Sequence, residues 1–189
     1  MATNKKVFID CGANEGQSID NFIAKWNDWE DYEILSYEAN SSLAPYFKKF
    51  EDKANIKFYP EAIWTNDRTV DFYLCTSGNA SSSIIGTKIT GQLKKSPTEV
   101  KCVDIDRVIR EYSKEDYVIL KIDIEGAEYE LLEYMLSKNT FEFVDVLYIE
   151  FHTGKVHKTE DDNKYLLDRL KEYTNLQVFY ETFNYFNFV

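Results

Sequence analysis

The chain has 189 residues, of which 44% are hydrophobic and 16% aromatic, and its net charge is −11. This length and composition predict one globular domain over residues 1–189. The acidic charge argues against a nucleic-acid partner, because proteins that bind phosphate backbones present a basic face. No apolar run approaches the roughly 18 residues of a membrane helix, and the N-terminus lacks a signal-peptide pattern, so we expect a cytoplasmic protein without a membrane segment.

The first predicted unit is a strand, a glycine turn and a helix. The apolar run 7–9 predicts a buried strand, and DCGANEG follows it directly. Gly12 and Gly16 allow a tight turn and a close approach to a ligand. Apolar residues then recur at helical spacing over 19–26. This order of elements builds a nucleotide-binding loop at the carboxyl end of a parallel strand.

Strands and helices continue to alternate along the chain. Strands are predicted over the following ranges, of which the third and fourth should pair: 33–37, 56–59, 70–74, 100–103, 117–122, 143–151 and 176–180. Helices are predicted after Ser41, after Gly126 and around 166–170, and the second of these carries Glu128 on its polar face. The segment 79–95 is rich in Ser, Gly and Lys and indicates a surface loop.

This alternation predicts an α/β fold with a mostly parallel sheet and helices on both faces. Near the end of the chain, only 181–182 separates the run 176–180 from the run 183–188. So short a joint requires an antiparallel pair, because a parallel connection needs a dozen or more residues. We therefore expect one antiparallel strand at the end of the sheet.

The three cysteines, Cys11, Cys75 and Cys102, are widely spaced and form no CxxC pair. Their odd number and spacing argue against a disulfide framework and against a zinc site built on thiols. We expect three reduced thiols buried in the core.

The spacing of the first glycine loop indicates which nucleotide it holds. A dinucleotide fingerprint reads G-x-G-x-x-G, whereas Gly12 and Gly16 stand four residues apart with Glu15 between them. The carboxylate of Glu15 would repel a pyrophosphate but is compatible with a cationic ligand such as S-adenosylmethionine. Glu38, at the tip of the second strand, is placed to accept hydrogen bonds from ribose hydroxyls. The alternatives are a glycine turn without a ligand and a solvated strand end.

Acidic residues follow two later strands that we expect to lie side by side. Asp123 and Glu125, within KIDIEGAE, leave a buried strand, and Glu150 and His152 end the next one. Carboxyl ends of strands form the crevice in which ligands bind in open α/β sheets. A neutral imidazole at this place can accept a proton or bind a metal. The alternatives are acids that cap a helix and a structural histidine.

Together these motifs resemble the FkbM family of methyltransferases. The resemblance runs in order from residue 7 to about 152, and KIDIEGAE is its most specific element. Its other elements are DCGANEG, the acid in SYEAN, and the segments 61–64, 81–83, 103–106 and 150–152. It implies a Rossmann-like class I methyltransferase fold with a seven-stranded, mostly parallel sheet, which uses S-adenosylmethionine to methylate hydroxyls, often on sugars or glycoconjugates.

The resemblance also implies roles for individual residues. Glu38 would hold the ribose, Ala62 would lie near the adenine, and Asp123 would lie beside the transferred methyl group. The methionine end of the cofactor would be lined by residues of the first loop: Asp10, Gly12, Asn14 and Gly16. Because of its charge, we also count Glu15 among the candidate cofactor-binding residues. Many methyltransferases close over the acceptor with helices that precede the first strand. In this chain the loop 79–95 is the candidate for that lid.

For catalysis we expect direct in-line transfer of the methyl group to a hydroxyl, aided by a base or a metal ion. Asp123 and His152 are the first candidates for the base, with Glu125 and Glu150 as orienting groups. Alternatively, Asp123, Glu150 and His152 hold Mg²⁺ or another divalent cation that acidifies the hydroxyl. The sequence leaves both schemes open.

Two other functions compete with this one. The missing third glycine and Glu15 disfavour an NAD-dependent oxidoreductase. A non-catalytic binding or scaffold module would keep the fold without turnover. The acceptor, the oligomeric state and whether the chain is one domain of a longer protein stay open.

Overall fold

The computed structural model of the protein describes residues 4–76, 81–88, 93 and 96–180, which form two sheets. The large sheet contains six parallel strands: β1 (Lys6–Cys11), β2 (Tyr32–Tyr37), β3 (Ile56–Tyr59), β7 (Tyr117–Ile122), β8 (Val146–Ile149) and β9 (Gln177–Tyr180). The small sheet contains β4 (Ala62–Trp64), β5 (Arg68–Phe72) and β6 (Thr98–Asp104). Across the large sheet the order is β3-β2-β1-β7-β8-β9.

The mostly parallel α/β architecture predicted from the sequence is confirmed, but the number of strands differs. The described part of the large sheet has six strands rather than seven, and β9 pairs in parallel with β8. The antiparallel partner predicted at 183–188 lies outside the described residues. The predicted pairing of 70–74 with 100–103 is present as the antiparallel pair β5–β6. This pair forms the small sheet with β4 and does not extend the large one.

In the described part of the chain, four α-helices cover the two faces of the large sheet: α1 (Gln17–Lys25), α2 (Ile105–Ile109), α3 (Glu128–Ser137) and α4 (Glu160–Leu170). On one face, Phe22 of α1 packs with Phe8 of β1. The helix predicted after Ser41 is a 3₁₀ segment, Ser41–Phe50, on this same face. On the other face, Leu131 of α3, Leu166 of α4 and Ile109 of α2 belong to one buried apolar cluster. Helices on both faces therefore follow from the alternating apolar pattern.

Two local elements differ from the sequence prediction. The strand predicted over 143–151 shortens to β8, because a 3₁₀ turn at Thr140–Phe143 precedes it and the last residues leave the sheet. Glu128, predicted on the polar face of α3, is fully buried. Its carboxylate accepts the N–H groups of Gly126 and His152, at 2.8 and 2.7 Å. Such hydrogen bonds compensate for burial of the charge.

The three cysteines form no disulfide bond and are reduced thiols. Cys11 and Cys102 are buried, as predicted, whereas Cys75 is only half-buried. Burial raises the pKa of Cys11 well above its usual range and raises that of Cys102 to about 11. No helix in the described ranges is long and apolar enough to cross a membrane.

The direction in which strands are added reverses next to β1. From β1 the chain adds β2 and β3 on one side of it, and then returns to add β7 on the other side. Ligands of open α/β sheets bind at such switch points, outside the carboxyl ends of the strands. In this protein, Gly12 follows β1 and Asp123 follows β7 at that place.

Candidate functional site

The loop after β1 turns sharply at three residues. Gly12, Asn14 and Gly16 have φ angles of +86°, +49° and +83°. A Cβ atom at Gly12 would lie 1.8 Å from the carbonyl oxygen of Asp123. Only glycine therefore lets the loop approach the end of β7 this closely. Gly12 also donates its N–H to the carbonyl of Tyr37, which ties the loop to the end of β2.

Glu38 joins this loop to the residues after β2. Its Oε2 accepts the N–H of Asn14 at 2.9 Å, and its Oε1 accepts the N–H of Asn40 at 2.7 Å. Burial raises the pKa of Glu38, although these two hydrogen bonds oppose the shift. Each carboxylate oxygen can accept a further hydrogen bond. Glu38 can therefore fix the loop and hold ribose hydroxyls at the same time.

A cleft opens between the first loop, the small sheet and the end of β7. Six of the residues that line it are predicted cofactor or catalytic residues: Gly12, Asn14, Glu38, Ala62, Asp123 and Glu125. The segments 61–64 and 81–83 contribute further lining residues, including Ser82. Tyr37, Phe72 and Ile84 also line the cleft, but no sequence signal marked them. The cleft therefore lies at the switch point of the large sheet, outside the carboxyl ends of β1 and β7.

Three predicted cofactor-binding residues lie outside the lining of the cleft: Asp10, Glu15 and Gly16. Asp10 is fully buried, and its Oδ2 accepts the hydroxyl of Ser18. Gly16 is the N-cap residue that precedes α1, and its backbone is in the left-handed conformation. Asp10 and Gly16 thus shape the loop from behind the cleft.

Lys121 links the ends of β1 and β7. Its Nζ lies 3.0 Å from Oδ1 of Asp10 and 3.5 Å from Oδ2 of Asp123, and it donates to the carbonyl of Gly12 at 2.8 Å. Burial lowers the pKa of this ammonium group, but the carboxylates of Asp10 and Asp123 outweigh burial and raise the pKa above its usual range. Lys121 therefore stays charged and fixes the two strand ends relative to each other.

Four carboxylates surround the imidazole of His152, which is almost fully buried. Its Nδ1 lies 3.2 Å from Oε1 of Glu128. Its Nε2 lies 3.5 Å from Oε1 of Glu125, and 3.6 Å from both Oδ1 of Asp123 and Oε1 of Glu150. We call Asp123, Glu125, Glu150 and His152 the His152 cluster. The structure brings these four predicted catalytic residues together and adds Glu128, which sequence reasoning had placed elsewhere.

The cluster strongly favours positive charge at its centre. Burial lowers the pKa of His152, but Glu125 and Glu128 outweigh it and raise the pKa to about 10. Burial, together with the nearby Asp123, raises the pKa of Glu150 to about 7. With its pKa raised to about 10, the imidazole carries a proton at neutral pH. A protonated imidazole cannot accept a second proton, so this state of the site favours a carboxylate over His152 as the base.

Two lysines that sequence reasoning did not identify neutralise Glu125. The Nζ of Lys88 lies 2.5 Å from Oε2 of Glu125, and the Nζ of Lys155 lies 2.8 Å from the same oxygen. Burial raises the pKa of Glu125, but His152 and the two lysines outweigh it and lower the pKa to about 2. Lys88 also donates to the carbonyl of Ser81. It thereby joins the segment 81–88, part of the predicted lid loop, to the site.

The His152 cluster lies between two cavities. Asp123 and Glu125 line the cleft, whereas Glu150 lines a separate groove with Phe151, Thr153 and residues of α4. The arrangement offers one cavity for a cofactor and another for an acceptor, with acidic groups between them.

Comparison with known proteins adds to this description. A family model described as the methyltransferase FkbM domain matches residues 10–176. Among solved structures, the chain is similar to the crystal structure of methyltransferase FkbM from Methylobacillus flagellatus KT, with 14% sequence identity and a TM-score of 0.43. The alignment covers 75% of this chain and 31% of that chain, so the present chain spans about a third of that protein's length. No curated protein sequence matches the chain.

Proposed function

Because the chain belongs to the FkbM methyltransferase family, we propose that it is an S-adenosylmethionine-dependent O-methyltransferase that acts on a hydroxyl of a sugar or glycoconjugate. One observation carries the proposal: a single cleft is lined both by Glu38, a carboxylate suited to ribose, and by Asp123 of the acidic cluster. A nucleoside cofactor held by Glu38 would therefore place its reactive end within reach of the acidic groups.

The residues of the cleft suit S-adenosylmethionine. Asn14 lines the cleft, and its buried Oδ1 has no hydrogen-bond partner within the described part of the chain. An unpartnered acceptor of this kind suits the α-ammonium group of the methionine moiety. Gly12 brings backbone close to the cleft, and Ala62 with Ile63 offers apolar surface for the adenine. Glu15, close by in the same loop, adds negative charge that suits a cationic cofactor and would repel a pyrophosphate.

The reaction is a nucleophilic substitution. When bound, S-adenosylmethionine supplies a methyl group made electrophilic by its sulfonium. A lone pair of the acceptor oxygen forms the new C–O bond, the C–S bond breaks with its electron pair going to sulfur, and the hydroxyl proton leaves. Holding the two reacting groups in line contributes up to about 7–11 kcal/mol in favourable cases.

The acidic cluster would take up the hydroxyl proton. Asp123 is the first candidate for the base, because it borders the cleft and lies beside Glu150, which lines the groove. General-base assistance typically contributes 10²–10⁴-fold to the rate. In the other scheme, a divalent cation held by Asp123, Glu150 and His152 lowers the pKa of the acceptor hydroxyl.

The acceptor class follows from the same surfaces. Among the residues that line the groove, the carboxylates of Glu150, Glu160 and Asp168 outnumber the ammonium groups of Lys164 and Lys171. This balance disfavours an anionic acceptor, and the carboxylates can accept hydrogen bonds from a neutral polyol. Phe151 in the lining of the groove offers an apolar ring of the kind that packs against a sugar face. A neutral glycoside hydroxyl therefore fits better than a phosphate ester or a carboxylic acid.

The proposal is tested by measuring binding and turnover separately. S-adenosylmethionine at 100 times its dissociation constant should add about 2.7 kcal/mol to the free energy of unfolding, and NAD should add nothing. Mass spectrometry of a panel of neutral glycosides should then detect addition of one methyl group. Stabilisation by NAD alone would contradict the cofactor assignment. Binding of S-adenosylmethionine without turnover on any glycoside would favour a non-catalytic module.

A further inference from the structure

We propose that the His152 cluster, in which ligand atoms of Asp123, Glu125 and His152 lie within 4.8 Å of one another, is a binding site for a divalent later first-row transition-metal ion such as Zn²⁺. The role of this ion in catalysis rests on the proposed function, whereas binding of the ion does not. The ligands would be Nε2 of His152 and one oxygen each from Asp123, Glu125 and Glu150.

The spacing of the four atoms is the first observation behind the proposal. The oxygens lie 3.5–3.6 Å from Nε2 of His152, beyond the 2.7–3.2 Å of an ordinary N–H···O hydrogen bond. Two ligands of a tetrahedral ion with bonds of about 2.1 Å lie about 3.4 Å apart. The three oxygens therefore stand at the distance of fellow ligands and not at the distance of hydrogen-bond acceptors.

The second observation is the state of the imidazole itself. The side chain of His152 is only 2% exposed, and its Nε2 forms no hydrogen bond to any residue that the structure describes. The other ring nitrogen, Nδ1, lies 3.2 Å from Oε1 of Glu128. A carboxylate that accepts the Nδ1–H leaves Nε2 as the ring nitrogen that an ion can bind once the ion displaces the Nε2 proton. Nε2 faces the three carboxylates.

The carboxylates have capacity left for an ion. Lys121 lies 3.5 Å from Oδ2 of Asp123, whereas the oxygen of Asp123 that faces His152 is Oδ1. Among the described residues, Glu150 forms no ion pair with a lysine. Glu125 is already paired with two lysines and is the weakest of the proposed ligands. Asp123, Glu150 and His152 would therefore supply most of the affinity.

The ligand types select among divalent cations. Mg²⁺ prefers oxygen ligands in octahedral geometry and keeps several waters, whereas imidazole is a good ligand for later first-row ions. One imidazole with carboxylates at these separations fits Zn²⁺ better than Mg²⁺. Such an ion would lower the pKa of an acceptor hydroxyl placed beside it.

The test uses the fact that the chain has only two histidines, His152 in the cluster and His157 on the surface. Untagged protein labelled with ¹⁵N-histidine is treated with EDTA, exchanged into buffer and titrated with ZnCl₂ or MgCl₂. We expect one equivalent of Zn²⁺ to shift Nε2 of a single imidazole to a metal-bound value and to raise the Tm, whereas MgCl₂ at the same concentration leaves both imidazoles unchanged.

Variants assign the signal and guard against misfolding. His157→Gln should keep one-to-one Zn²⁺ binding, and His152→Gln should abolish it. Glu150→Gln should weaken it at least tenfold, with circular dichroism confirming that each variant is folded. If His152 stays doubly protonated and unshifted in millimolar Zn²⁺ at neutral pH, the cluster holds an imidazolium and the proposal is wrong. Binding of S-adenosylmethionine in excess EDTA is measured in parallel, so failure of the cofactor assignment would be seen separately.

Discussion

The Nζ of Lys121 and the Oδ1 of Asp10 form a fully buried ion pair 3.0 Å apart between two neighbouring parallel strands. The strand register sets Asp10 directly opposite Lys121, so both side chains lie on the same face of the sheet. Since Lys121 also donates to the carbonyl of Gly12, the pair holds the first loop against the end of β7. The geometry of the cleft therefore depends on a charge pair behind it.

Replacement of Lys121 by methionine tests this dependence. We expect Lys121→Met to lower the free energy of unfolding by roughly 3–5 kcal/mol, because Asp10 is left as a buried, unpaired charge. The double variant with Asp10→Asn should recover part of the loss. Lys57→Met, which breaks an exposed pair with Glu33, should cost no more than about 1 kcal/mol. Urea unfolding measures all three, and equal losses for Lys121→Met and Lys57→Met would contradict this view.

Two glycines form a matched pair for testing the close approach of the first loop. Gly12→Ala places a Cβ atom 1.8 Å from the carbonyl oxygen of Asp123 at a φ of +86°, whereas a Cβ at Gly154 meets nothing within 4 Å. We expect Gly12→Ala to lower the free energy of unfolding by about 1–3 kcal/mol and to abolish binding of S-adenosylmethionine. Gly154→Ala should leave both unchanged. Thermal unfolding and calorimetry check the two variants, and normal cofactor binding by Gly12→Ala would show that the loop can relax.

Glu38→Gln tests the ribose contact. An amide can accept at only one of its two polar atoms, so the variant loses either a backbone hydrogen bond or a ribose hydrogen bond. Loss of one such hydrogen bond costs about 1–3 kcal/mol of binding free energy. We therefore expect the dissociation constant for S-adenosylmethionine to rise about 10-fold or more. Glu51→Gln, at an exposed site, is the control. Unchanged affinity in Glu38→Gln, measured by calorimetry, would remove Glu38 from the cofactor site.

Asp123→Asn separates catalysis from binding. The amide keeps the size of the side chain but cannot accept the hydroxyl proton, so we expect turnover to fall by about 10²-fold or more while cofactor affinity changes little. Glu130→Gln, an exposed change on α3, should leave turnover intact. The measurement is methyl transfer to a responsive glycoside beside calorimetric binding of S-adenosylmethionine. Full turnover by Asp123→Asn would rule out a role in proton transfer.

Alkylation of the thiols tests the packing around the first strand and the small sheet. Thiolate is the reactive form, and burial raises the pKa of Cys11 and Cys102, the latter to about 11. At pH 7–9 iodoacetamide should therefore modify only the half-buried Cys75 in the native protein and all three thiols in urea. Peptide mass spectrometry identifies the modified sites. Rapid native labelling of Cys11 would mean that β1 is not packed as described.

The general architecture and the position of the cleft follow from sequence pattern alone. Alternating apolar runs of period 2 and 3.6 predict the strands and helices, and these local patterns survive folding because each element must bury its own apolar face. The place of Gly12 and Asp123 at the cleft can be predicted as well, because residues at the carboxyl ends of parallel strands meet at one edge of the sheet. The predicted catalytic residues therefore lie together in the structure.

What the sequence could not reveal are the partners of the buried charges. Glu128 has the helical position of a surface residue and is nevertheless buried, because backbone N–H groups from two other segments satisfy its carboxylate. Lys88 and Lys155 lie far from Glu125 in sequence, yet both pair with it. The sequence determines which segments form strands and helices and which strand ends carry acids. Only the tertiary structure decides which charges face one another, because burial of a charge depends on hydrogen-bond and ion-pair partners that folding brings from distant positions.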